Sequence, residues 1–162
     1  MADRPSFDVS KLSTADKILL GGSLVLLIDS FLPWQRVCVK FLGVGGCVSA
    51  SAWGGSGSFV GVLMGLLAIV LLVGEGLMIA GVAMPPALDA RMVLTGVAGG
   101  TVLFGLIKFL IVVGNHGGFG AWIGLILLIV LAYGAWMKFQ EAAATGPDVT
   151  GGFSAPPPPP TA

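Results

Sequence analysis

"FVGVLMGLLAIVLLVGEGLMIAGVAM", residues 59–84, decides the fold. Glu75 is its only ionisable residue. A helix needs about 20 apolar residues to cross a hydrocarbon core of about 30 Å, and this run supplies them. Working outward, residues 92–114 and 119–138 form two more runs of similar length. A shorter one, Ile18 to Leu32, follows "STAD" at 13–16. That tetrapeptide is a capping-box pattern that starts a helix at Thr14. A span over 14–32 then measures roughly 28 Å. The sequence therefore predicts an all-α bundle of four transmembrane helices, up-down-up-down. The spans are 14–32, 59–84, 92–114 and 119–138, with a Gly- and Ser-rich outer loop over 33–58. "PPALDAR" at 85–91 and "NHGG" at 115–118 read as tight polar turns.

Composition agrees. Of 162 residues, 56% are hydrophobic and 10% charged, and mean hydropathy is +0.98. Soluble domains carry about 25% charged residues. The 26 glycines suit transmembrane packing. Eight basic residues balance eight acidic ones, so no basic face for nucleic acid is expected. The lipid bilayer is the expected partner, and no stretch is long enough for a separate soluble catalytic domain. The first 17 residues are polar, so no cleavable signal is expected.

Basic residues orient the bundle. An even number of spans puts both termini on one side, together with Arg4, Lys11, Lys17, Arg91 and Lys138. Arg36 and Lys40 lie on the other. The positive-inside rule makes the first side cytoplasmic. Segment 1–13 and tail 140–162 are then cytoplasmic, in a multi-pass cell-membrane protein. The five prolines in "SAPPPPPTA" favour an extended segment without a core, a linker or a docking site for a cytoplasmic partner.

Cys38 and Cys47 both fall in the outer loop, where an oxidising exterior permits a disulfide. A metal centre wants about four ligands, and His116 is the only further candidate nearby, so no metal is expected. Trp34 and Trp53 read as interfacial belt residues. Asp29, Glu75 and Lys108 lie inside apolar runs, where ionisable groups face a bundle interior or water. Asp29 shares a helical face with Gly21 and Val25, and Lys108 one with Thr101 and Gly105. Their similar depths below the outer end predict an Asp29–Lys108 ion pair. Glu75 lies nearer the cytoplasm, on a stripe of Gly61, Gly65, Ala68, Leu72 and Ile79. It has no partner of similar depth and is expected as a neutral hydrogen-bonding group. Gly61/Gly65, Gly96/Gly100 and Gly120/Gly124 are GxxxG pairs that allow close helix approach. No nucleophile–base pair, phosphate loop or dinucleotide fingerprint is present, so neither enzymatic activity nor a cofactor is expected.

A first span ending in "SFLPW" (30–34), an outward loop, three further spans and a Pro-rich tail resemble small four-span membrane proteins of actinobacteria. That resemblance implies location and topology. "WQRVC" (34–38) followed by Cys47 is also similar to the outer-loop Trp and paired cysteines of claudin-like four-span proteins. The outer loop here is shorter, and their Gly-Leu-Trp element is missing. The leading expectation is a non-enzymatic scaffold or accessory subunit of a membrane assembly, contacting other subunits or itself through the outer loop, the glycine-lined helix faces and the Pro-rich tail. The alternative is an oligomeric ion or proton conduit through Asp29, Glu75 and Lys108.

Overall fold

The computed structural model describes residues 12–41, 44–80, 90–114 and 116–144. Helix α1 (Thr14–Asp29) is followed by strands β1 (Gln35–Phe41) and β2 (Val44–Ala50). Helices α2 (Ser58–Ile79), α3 (Ala90–Gly114) and α4 (Phe119–Ala144) complete the order. Of the expected segments, residues 1–11, 42–43, 81–89, 115 and 145–162 lie outside the described residues.

The capping box starts α1. The Ser13 hydroxyl accepts from the Asp16 amide at 3.2 Å, and the Asp16 carboxylate accepts from the Ser13 amide at 3.2 Å. The helix stops at Asp29, three residues short of the expected Leu32. Pro33 explains this, because it has no N–H to give the Asp29 carbonyl and disfavours helical backbone just before it. The Leu32 amide, at 2.9 Å, and the Trp34 indole N–H, at 3.1 Å, donate to that carbonyl instead. With 16 residues, α1 is about 24 Å long. Three helices, α2, α3 and α4, are long and apolar enough to cross a membrane.

The molecule is mostly helical but not strictly all-α. The outer loop contains an antiparallel hairpin, β1 on β2, in a register that pairs Cys38 with Cys47. Helix α4 runs six residues beyond the expected end at 138, to Ala144.

Helix α1 packs on α2 and α4, and α3 packs on the same two helices. Leu19, Leu26, Leu71, Leu94, Leu128 and Leu131 fill one part of the core. Trp34, Ala52, Met64, Phe109, Val112 and Ala121 fill a second part beneath the outer loop. The distribution of polarity is inverted relative to a water-soluble bundle. Ser23, Asp29, Glu75, Thr101, Lys108 and Lys138 are buried, while Ile28, Leu66, Val73, Leu110, Ile126 and Ile129 are exposed.

Candidate functional site

Two groups of buried polar side chains mark the ends of the bundle, and the outer loop is bound into one of them. At that end the loop's tryptophans enter helix surfaces that glycine leaves bare. The Trp34 ring lies against α4, where a Cβ on Gly124 would overlap it and one on Gly120 would come within 3.0 Å. The Trp53 ring occupies the space that a Cβ on Gly65 would take, and the Ala52 carbonyl oxygen does the same at Gly61. Two of the three GxxxG pairs thus receive loop groups. In the third, a Cβ on Gly100 would meet Leu67 at 3.3 Å, and one on Gly96 would meet nothing within 4 Å. Trp34 is fully buried, which corrects its reading as a belt residue. The Trp53 indole N–H donates to the Ser30 hydroxyl at 2.9 Å, and its ring stacks on Phe31.

Asp29 and Lys108 do not pair, which corrects the expected ion pair. Asp29 accepts from the Trp34 indole N–H at 3.1 Å, and its other oxygen has no hydrogen-bond partner among the described residues. It is buried alongside Gly22 and Leu26, whereas Gly21 and Val25 are exposed. The buried face of α1 lies one residue away from the one that its sequence spacing predicts. Lys108 does share its buried face with Thr101 and Gly105. Its ammonium donates to the Gly54 carbonyl at 3.0 Å and the Ser56 carbonyl at 2.7 Å. Gln35 holds the same segment from the other side, accepting from the Ser56 amide at 2.9 Å and donating to its carbonyl at 3.3 Å. Gly55 and Gly57 have φ of +68° and +71°, a conformation that glycine adopts without a Cβ clash and that this tight wrap around Lys108 requires.

At the other end, Glu75 is not alone. The Lys138 ammonium bonds its carboxylate and reaches Asp16 at 2.9 Å. One cation thereby ties α1, α2 and α4 together. The expected end of the span at 138 would leave Lys138 at the membrane surface, without this role. The helix continues, and the side chain turns inward to 2% exposure.

Cys38 and Cys47 form a disulfide across the hairpin. The register puts Val37, Val39 and Val48 on one face, and Arg36, Lys40 and both cysteines on the other. The three valines are 42%, 62% and 76% exposed. The hairpin is rooted at its base, where the Arg36 amide donates to the His116 carbonyl at 3.1 Å and Gln35 bridges Gly117. Sequence reading missed this element, although Val37, Val39 and Phe41 recur at every second residue, with Arg36 and Lys40 at alternate positions, the period of a strand. Comparison with protein-family models, with curated proteins and with solved structures returned no match.

Proposed function

We propose that this chain is a non-enzymatic integral membrane scaffold or accessory subunit. It spans the bilayer four times, up-down-up-down, with both termini cytoplasmic, and makes its contacts through the outer hairpin. The observation that carries this reading is the hairpin itself. It is stapled by a disulfide, stands clear of the bundle beyond its base, and presents exposed valines that nothing among the described residues covers. Rigid, apolar and projecting, it has the properties of a contact element.

The closed outer end supports this reading over an ion or proton conduit. Trp34, Ala52 and Lys108 are inaccessible there, and Lys108 is spent on holding the loop. The buried groups join helices to one another and to the loop. The reading keeps other membrane subunits or a second copy as the partner outside, with the Pro-rich tail available to a cytoplasmic one.

The test is purification of the tagged full chain from native membranes in mild detergent, beside a Val39→Asp/Val48→Asp variant. The wild type is expected to emerge with a companion in fixed stoichiometry, or with itself, and the variant to lose it while keeping the hairpin disulfide. A wild type that emerges as a lone monomer would overturn the proposal.

A further inference from the structure

We infer that the free edge of β2 is a self-association surface, on which the β2 strand of a second copy adds in antiparallel fashion. This inference deepens the scaffold reading and rests on it.

The directions of the backbone groups follow from the register. Cys38 and Cys47 are opposite each other with Cα atoms 4.0 Å apart, the close spacing of a non-hydrogen-bonded pair. Arg36, two residues earlier, sends its N–H away from β2 to His116, as the same alternation demands. The pairs Arg36–Ser49 and Lys40–Gly45 are therefore of the same type. On β2, Gly45, Cys47 and Ser49 point N–H and C=O away from β1, toward the open edge. Among the described residues the sheet has two strands, and no other strand lies on that edge.

Exposed edges are ordinarily protected by charge, proline, a bulge or a cover, because the unpaired groups are a template for another strand. Here β2 reads "VGGCVSA", without charge or proline, and residues 45–49 are exposed. Both charges of the hairpin, Arg36 and Lys40, are on β1, whose own outer side meets the α3–α4 turn at its base. Two copies meeting through β2 bring no like charges together, whereas meeting through β1 would oppose two cationic strands. That asymmetry selects the edge.

It also selects a second copy as the occupant. The edge complements an uncharged extended strand, and β2 is one. Two β2 strands can pair about a two-fold axis through Cys47, so each outward group of one copy is met by the matching group of the other. The axis of such a pairing is normal to the sheet, so it joins copies of one orientation with their hairpins laid along the membrane surface, where confinement to one bilayer raises their effective concentration. The result is a four-stranded sheet with the valine faces of both hairpins on one side, a surface that one hairpin alone cannot supply.

The experiment counts copies by single-molecule photobleaching of the full chain in liposomes over a range of protein-to-lipid ratios. Ser49→Pro is the informative variant. It removes an outward N–H and sets a ring on the edge, leaving the β1–β2 ladder intact. Dimers are expected for the wild type, with association weakened by about tenfold or more in Ser49→Pro. Intact mass must show the disulfide retained in the variant. Hydrogen exchange on the wild type provides the second measurement, independent of any variant. The amides of Gly45, Cys47 and Ser49 are expected to exchange slowly in dimers and at the open-chain rate when diluted to monomers. Dimers that persist unchanged in Ser49→Pro, or outward amides that exchange freely within dimers, overturn the edge. Monomers at every density overturn it as well, and the scaffold reading then stands if purification still yields a different companion. Failure of both experiments removes both.

Discussion

Lys138 shows how one side chain can organise a bundle. Its ammonium is shared by Asp16 at the start of α1 and Glu75 near the end of α2. Taking charges out of water is costly, and the attraction within the cluster offsets that cost only while every member is present. Removing Lys138 strands Glu75, 1% exposed, without its cation. Lys138→Met is therefore expected to lower stability by about 3–5 kcal/mol, as for a broken buried pair. Adding Glu75→Gln to it should restore part of the loss, since the orphaned charge is gone. Thermal unfolding in detergent of the two single variants and the double variant measures this. Two losses that simply add would remove the pairing as an energetic feature. Asp29 and Lys108 belong to the same scale and behave differently. One is joined to Trp34 and the other to the carbonyls of Gly54 and Ser56, so each fastens a different part of the outer loop.

Among elements, the glycines of α2 and α4 receive the loop. Gly61 meets the Ala52 carbonyl, a backbone group fixed by an Ala52 amide bond to the Ser30 carbonyl at 3.0 Å. A methyl there cannot be relieved by a rotamer change. Gly61→Ala is expected to cost about 1–3 kcal/mol, the range of overpacking. Gly96 on α3 faces open space. Gly96→Ala is expected to be neutral or to stabilise by up to about 1 kcal/mol, since alanine restricts the unfolded chain and favours helix. Equal effects in thermal unfolding would show that the loop is not seated on α2 as described. The three GxxxG pairs look alike in sequence. Their spacing says that a helix face is bare, and says nothing of what fills it.

Viewed whole, the molecule is apolar outside and polar at selected points inside. Three helices meet the length and hydropathy of membrane spans, and α1 is shorter, at 16 residues. The contacts place the start of α1 and the ends of α2 and α4 at the Lys138 cluster. The end of α1 and the start of α4 meet the outer loop, as do the start of α2 and the C-terminal half of α3. In the proposed topology the Lys138 end is cytoplasmic, as is the tail. A cysteine introduced at Thr161 is then expected to resist a membrane-impermeant thiol reagent in intact cells and to react after permeabilisation. The native cysteines are held in the disulfide and do not interfere. Labelling in intact cells would reverse the orientation.

By itself the sequence determined what depends on length, composition and nearest neighbours. The long apolar runs dictate helices, the Ser13–Asp16 box starts α1 through bonds between residues three apart, and two cysteines in one loop can meet across it. Partners distant in sequence were decided only by the tertiary structure. Spacing along the chain predicts similar depths for Asp29 and Lys108, but depth is one coordinate, and the rotation of each helix about its axis chooses the neighbour. That rotation is set by where Trp34 and Trp53 pack, and by the reach of Lys138 across 63 residues of sequence to Glu75. The hairpin belongs to the same class. Its alternation is written in β1, whereas the glycines of β2 carry no side-chain pattern, so pairing and the disulfide reveal the second strand.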